Sequence, residues 1–169
     1  MSMMSIRAAT PRDREAIRLV EEHAFGQQAE AGLVDALVDG GDVVVELVAE
    51  EDGQVVGHIL FSRLYVQNGA DSFPAVALAP LAVEPDFHRS GIGGALIREA
   101  HIRLRDAGET LAVVLGDPAY YGRFGYAHDR AAGFESDYQC EELQALAWGD
   151  APETGRLAYA PAFGTALAA

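Results

Sequence analysis

Apolar positions recur along this chain with two different periods, and the changes of period mark its elements. A short strand is expected from Ile6 to Ala9. Thr10 can cap the element that follows, with Pro11 in its first turn and Asp13 three residues after the cap. Ala16, Ile17, Val20, Ala24 and Phe25 then recur at helical spacing until Gly26 and the polar Gln27-Gln28 interrupt them. Leu33, Val34, Leu37 and Val38 predict a second helix from about Glu30 to Val38, stopped by Gly40-Gly41.

The pattern next shifts to β-branched runs. Strands are expected from Val43 to Glu50 and from Gln54 to Tyr65, and Glu51-Asp52-Gly53 between them is a hairpin signal. Asn68-Gly69 marks another turn, and Ala75 to Val83 forms a third consecutive strand, so this region is an antiparallel meander. Helical spacing resumes at about Ala95 and runs to Arg105, with Leu96, Ile97, Ala100 and Leu104 inward and Gly108 as the stop. Thr110 to Leu115 is a short, continuously apolar strand of the kind buried in a sheet beside a parallel neighbour. The resulting β-helix-β unit should cross over right-handed. A short helix near Ala119 to Phe124, one or two helical turns within Glu141 to Trp148, and a final strand from Leu157 to Ala160 complete the expectation. The fold class is α/β (α+β): a mixed, largely antiparallel central sheet with a splayed parallel strand pair and helices on both faces. No repeat, low-complexity tract or linker divides the chain, so residues 1–169 read as a single domain.

Two local features point to chemistry. Ser90-Gly91-Ile92-Gly93-Gly94 stands between an apolar strand and an apolar helix. Glycines there let the backbone approach an anion, and the first helical N–H groups face it with the positive end of the helix dipole behind them. It is not a Walker loop, because Gly94-Ala95 stands where Gly-Lys-Ser or Gly-Lys-Thr would be required. Nor is it a dinucleotide fingerprint: it lies mid-chain, and Leu111 or Ala112 falls where an acidic ribose ligand is needed. The second feature is Pro80, inside what should be a central strand. Proline gives no N–H to a ladder, so a bulge or a parting of strands is expected. Backbone groups of Leu81 and Val83 would then lack strand partners, and an extended amide-bearing ligand could satisfy them. A thin amide-containing arm ending at a phosphate cradle describes the pantetheine and pyrophosphate of coenzyme A.

Composition narrows the classes. Half of the 169 residues are hydrophobic, enough for a sizeable core. A formal charge of −14 argues against nucleic acid and anionic membranes, which require clustered basic residues, and permits an amine-bearing ligand. The single cysteine, Cys140, asks for no oxidising compartment, and neither a signal peptide nor a membrane span is evident, so a cytoplasmic location is expected. No metal site is expected.

Leu78-Ala79-Pro80-Leu81-Ala82-Val83 followed by His88-Arg89-Ser90-Gly91-Ile92-Gly93 resembles the acetyl-CoA motif of the GNAT N-acetyltransferase superfamily. The segment Tyr120-Tyr121-Gly122-Arg123-Phe124-Gly125-Tyr126 is similar to the aromatic element downstream of it, and to a subgroup carrying Tyr-Tyr-x-Arg-Phe-Gly-Phe. The resemblance covers roughly Ile6 to His128. It implies an N-acetyltransferase using acetyl-CoA as cosubstrate. The strand Leu81, Ala82 and Val83 would offer backbone to pantetheine. Residues His88, Arg89, Ser90, Gly91, Ile92, Gly93 and Gly94 would surround the pyrophosphate, and Tyr121 would protonate the departing thiolate. Two positions depart from the pattern: His88 stands where Gln or Arg is usual, and Tyr126 where Phe is usual.

No general base is legible, since Ala75 to Val83 contains no carboxylate. Glu22, His23, Glu46, His58 and Asp117 are the candidates. Acetyl transfer to a primary amine is the leading reading; another short acyl-CoA donor and a non-catalytic acyl-CoA-binding sensor are the alternatives. The acceptor, a small molecule or a peptide, should enter from the side of the first two helices and the tail. A homodimer through the tail is compatible with the sequence.

Overall fold

A computed structural model describes residues 3–166. Strand β1 (Met4–Ala8) leads through a 3-10 turn at Pro11–Asp13 into α1 (Arg14–Phe25) and α2 (Ala29–Asp39). The entry is fixed electrostatically: Asp13 accepts the Thr10 N–H at 2.7 Å and both terminal nitrogens of Arg7 at 2.8 Å. The Arg7 hydrogen bonds hold the Asp13 carboxyl well below the usual carboxylate range. Strands β2 (Val43–Glu51), β3 (Gln54–Asn68) and β4 (Asp71–Val83) form the antiparallel meander. Asp52 and Gly53 between β2 and β3 both have positive φ, 52° and 84°, as a two-residue hairpin turn demands.

After β4, helix α3 (Ile92–Asp106) crosses to β5 (Leu111–Leu115), which lies parallel to β4. Then come α4 (Pro118–Tyr121), a 3-10 turn at Gly122–Phe124, α5 (His128–Ala131), β6 (Phe134–Glu135), β7 (Leu143–Ala147), β8 (Gly155–Ala158) and α6 (Pro161–Ala166). The sheet runs β1-β2-β3-β4-β5-β7, with β8 pairing the far end of β3 and β6 pairing β8. One apolar cluster joins Ile17, Leu33, Leu37, Leu60 and Leu143 under α1 and α2; the other joins Ile59, Phe61, Leu96, Ile97 and Leu104 under α3. Helices therefore cover both faces of a mixed, mainly antiparallel sheet.

The expected helical turns in Glu141 to Trp148 are a strand instead. β7 lies antiparallel to β5, Leu111 opposite Ala147 and Leu115 opposite Leu143. The segment is buried on both sides apart from its C-terminal end, Gln144 included, and the otherwise open edge of β5 supplies the backbone partners that a two-turn helix would have to find within itself. Several boundaries also move. The cradle helix begins at Ile92 rather than Ala95, because Gly91 (φ 85°) is its N-cap and Gly93 and Gly94 are already helical. The last strand is Gly155–Ala158 rather than Leu157 to Ala160, and the meander strands extend to Asn68 and back to Asp71. Among the described residues no helix is long and apolar enough to cross a membrane.

Candidate functional site

Pro80 opens the sheet where the sequence places it. Phe61 pairs Leu78 and Ile59 pairs Leu81, so Ala79 and Pro80 together oppose Leu60 in a bulge; the Ala79–Pro80 peptide bond is cis. On its other side β4 pairs β5 only over Val76–Leu78 against Ala112–Val114. Beyond Leu78 the two strands part. The Glu84 N–H donates to Val56 O at 2.8 Å, and alternation along an antiparallel strand then turns the backbone groups of Leu81 and Val83 away from β3, into the gap. His88 folds back over this strand end and donates through Nε2 to Val83 O at 2.8 Å.

The gap leads to the mouth of α3. Ser90 is already engaged, since its N–H and its hydroxyl both donate to Phe87 O. The first amide to return into the helix is Ala95, bonded to Gly91 O at 3.0 Å. The amides of Gly91, Ile92, Gly93 and Gly94 thus have no helical acceptor and face outward with the helix dipole. Arg89 adopts a left-handed conformation (φ 69°), a costly one for a side chain with a Cβ, and this turns the loop into the cradle. A cavity of about 770 Å³ sits here, lined by Leu81 to Val83, His88, Arg89, Gly91 to Gly94, and also Ala24, Phe25, Tyr120 and Phe124.

Three guanidinium groups border this cavity: Arg89, Arg98 and Arg123. Arg98 lies 5.0 Å over the Phe124 ring and Arg123 4.7 Å over the Tyr120 ring, and none of the three forms an ion pair among the described residues. On an acidic protein this is a local concentration of unpaired positive charge, suited to an anion. Arg98 and Arg123 were not singled out in the sequence, although both carry a signal: Arg98 lies one helical turn beyond Gly94, and Arg123 lies inside the Tyr-Tyr-x-Arg-Phe element.

The glycines have a second role that spacing does not reveal. A Cβ at Gly93 would stand 2.6 Å from the Tyr120 hydroxyl, and one at Gly94 would stand 3.3 Å from the Phe124 ring. The aromatic element packs directly on the cradle turn, and bare backbone is what admits it. Gly116 does the same for Tyr121, whose ring would lie 2.5 Å from an added Cβ.

Tyr120 and Tyr121 meet edge to face at 5.0 Å. Tyr121 faces a second cavity of about 610 Å³ on the other side of the gap. Its walls are the parted strands (Ala77 to Leu81, Val113 to Gly116) and Phe25, Glu30 and Leu33 of α1 and α2, with Asp117, Tyr138, Tyr159 and Phe163 from later segments. Phe25, Leu81 and Tyr120 line both cavities, so the two spaces adjoin. Burial pushes the Tyr121 phenol up to about 12, which keeps it protonated at neutral pH and able to donate. Tyr126, in place of the usual Phe, is buried and its hydroxyl contacts His101 Nε2 at 2.9 Å. Burial pulls the His101 imidazole down to about 4, so an uncharged ring shares this hydrogen bond with the Tyr126 hydroxyl.

The base candidates divide by place. His58 and Glu46 line neither cavity. His58 is fully buried on the α1 side of the sheet, its Nδ1 2.6 Å from Glu21 and its Nε2 2.7 Å from Glu46, and Glu46 also binds Arg14 at 2.6 Å. Burial works against the imidazolium, but the two carboxylate hydrogen bonds outweigh it and the net shift is upward. At Glu46 burial is likewise outweighed, by His58 and Arg14, and its carboxyl is held down. At Glu21 burial prevails and the carboxyl is raised. Glu21, the partner that sequence reading missed in favour of its neighbour Glu22, carries no sequence signal beyond its place on the inward face of α1. His23 pairs with Glu84 at 2.9 Å. Asp117 borders the second cavity while capping α4, accepting from the Ala119 N–H at 2.9 Å. Among the described residues no cluster of three or more His, Cys, Asp or Glu could hold a metal ion.

The chain and its fold are similar to known proteins. A family model described as an acetyltransferase (GNAT) domain matches residues 5–128. Two proteins of Escherichia coli named as uncharacterised N-acetyltransferases, YjhQ and YhbS, are 38% identical over 80% of this chain and 77% of theirs, and 37% identical over 83% and 87%. A GNAT acetyltransferase of Brucella melitensis, solved with acetyl-CoA, superposes with a TM-score of 0.81 at 40% identity, covering 95% of this chain and 98% of that one. YhbS, solved with CoA, superposes at 0.87 with 31% identity over 97% and 93%. The chain is an acetyltransferase and belongs to the GNAT family.

Proposed function

We propose that this protein transfers an acetyl group from acetyl-CoA to a primary amine by direct attack. The observation that carries the reading is the gap between β4 and β5, continuous with four unpartnered amides at the mouth of α3. In this reading the diphosphate lies on the amides of Gly91 to Gly94, with Arg89, Arg98 and Arg123 around the phosphates. Pantetheine replaces the missing strand along Leu81, Ala82 and Val83, and His88 keeps Val83 O engaged at the strand end. The Brucella melitensis protein and YhbS, which carry acetyl-CoA and CoA, support it.

The thioester then sits where the two cavities adjoin, beside Tyr121. The acceptor ammonium first loses a proton to solvent. The neutral nitrogen attacks the thioester carbon, the C–N bond forms, the C–S bond breaks as the oxyanion collapses, and the nitrogen sheds its second proton. Tyr121 gives its phenolic proton to the departing sulfur and is reprotonated from water. Holding amine and thioester together supplies much of the acceleration. His58 and Glu46 are excluded as direct bases because they do not reach the cavities.

Thiol release from acetyl-CoA in the presence of an amine panel tests this. The sequence contains no lysine, so acetylation of the protein's own lysine side chains cannot mimic turnover. Amine-dependent thiol release is the expected result. Tight acetyl-CoA binding without release for any amine would support an acyl-CoA sensor instead.

A further inference from the structure

We propose that the cavity beside Tyr121 selects a small acceptor with one primary amine on a compact apolar or aromatic body and no carboxylate or phosphate. This rests on the acyl-CoA reading above. Phe25, Leu33, Tyr138, Tyr159 and Phe163 make the wall opposite the parted strands. Tyr138, Tyr159 and Phe163 form a chain of rings, 5.2 Å from each to the next. Phe25 and Leu115 remain 43% and 48% exposed although both border the cavity, so apolar surface is left uncovered where an acceptor would lie.

Charge sharpens the choice. Among the described residues lining this cavity there is no Lys, Arg or His; the charged groups are Glu30 and Asp117. Asp117 caps α4 through one oxygen and its other oxygen remains open to solvent. Among the described residues Glu30, half-buried, hydrogen-bonds only to the Gln27 amide, at 3.0 and 3.1 Å, lies near enough to Glu21 to raise that carboxyl, and keeps acceptor capacity for an ammonium. A carboxylate or phosphate on the acceptor would enter without a cationic partner and face two like charges. A triamine such as spermidine would fare little better, since the wall offers two carboxylates, Glu30 and Asp117, and a further ammonium group would lie against rings and aliphatic side chains. Glu30 belongs to the wall from α2 and Tyr121 to the wall from α4. The amine is recognised on entry as an ammonium at the first; once it has lost a proton to solvent, the apolar surface next to the second favours the neutral, attacking form. The space is shared with the thioester arm, so a single ring or a short alkyl chain fits the remainder and a folded protein surface does not.

The test is calorimetric titration of phenethylamine into the protein saturated with CoA, a ternary complex that needs no turnover. Phenylalanine, with the same body plus a carboxylate, spermidine, and a peptide with a free N-terminus are the comparators. Phenethylamine should bind more tightly than each comparator by about tenfold or more, the size expected when a charge is buried without a partner. Glu30→Gln should weaken phenethylamine about tenfold and leave CoA affinity unchanged within about twofold, which also reports that the variant is folded. Equal or tighter binding of any comparator, or an unaltered phenethylamine affinity in Glu30→Gln, overturns the inference while the acyl-CoA reading stands. Failure of CoA itself to bind overturns both.

Discussion

The two ends of the gap are built differently. The backbone of the cradle end comes from one continuous stretch, Leu81 to Gly94, whose main groups are peptide N–H and C=O, with side chains from elsewhere only bordering it. The end beside Tyr121 is assembled from α1, α2, α4 and the tail, and its groups are rings and carboxylates. Backbone groups are the same in every sequence that can adopt the turn, so the first end is fixed by a few glycines and one proline. Side chains brought together from distant segments can change one by one, so the second end can vary while the cradle does not. Binding the coenzyme and choosing the acceptor are therefore separable, and substitutions should separate them.

The largest expected effect lies at neither end. His58 lies on β3 beneath α1, buried between Glu21 and Glu46, and His58→Ala would leave Glu21 buried without a partner and Glu46 with Arg14 alone. A loss of about 3–5 kcal/mol in unfolding free energy is expected, measured by urea denaturation, with coenzyme affinity intact below the unfolding transition. A general base at His58 would instead make activity collapse in protein that remains folded.

Next comes Tyr121→Phe. A thiolate leaves more readily than an alkoxide, so the loss should fall near the low end for general acid catalysis, about 10²-fold in kcat, with the acetyl-CoA KM within about threefold. Because the phenol is pushed up to about 12, the wild-type rate should show no loss on the alkaline side from this group below about pH 11.

A smaller effect sharpens the other side of the comparison. Arg98→Ala and Arg123→Ala should each weaken CoA about tenfold, more at low salt than at high, by removing a cation from the phosphates. Turnover of acetyl-pantetheine, which has no diphosphate, should be unchanged by either. Equal losses with both donors would place these arginines in packing the aromatic element rather than in anion binding.

The smallest effect is a pH dependence of stability. Asp13 and Glu46 are both held below their ordinary values, by Arg7 and by His58 with Arg14. Their contribution is complete above the unfolded carboxyl values of about 4 and is lost as pH falls through the folded values. His58 is shifted upward, so its contribution is complete below an unfolded value of about 6.5 and fades as pH rises through its folded value. The urea midpoint should fall progressively as pH drops below about 5, without levelling at about pH 3, and Glu46→Gln should show a shallower fall.

The contrast between the ends also explains what could be read from the sequence. Pro80 in an apolar strand and Ser90-Gly91-Ile92-Gly93-Gly94 before an apolar helix are local signals, and the bulge, the parted strands and the free amides follow from them. The meander was legible because Asp52-Gly53 and Asn68-Gly69 punctuate β-branched runs. The tail was not. Leu143 to Ala147 is too short, and with Gln144 too mixed, for its period to choose between helix and strand; the free edge of β5 decides. Likewise nothing near Tyr138, Tyr159 or Phe163 announces that they meet Phe25 and Glu30, because their neighbourhood depends on where β8 and α6 dock. Glu21 and His58 are 37 residues apart and pair only through the packing of α1 on β3.

The most direct test is a crystal structure with acetyl-CoA bound. The account predicts the diphosphate within hydrogen-bond distance of the amides of Gly91 to Gly94, the pantetheine amides bonded to the backbone of Leu81 or Val83, and the thioester sulfur beside the Tyr121 hydroxyl. A diphosphate seated away from the mouth of α3, or a pantetheine arm lying outside the gap between β4 and β5, would contradict it.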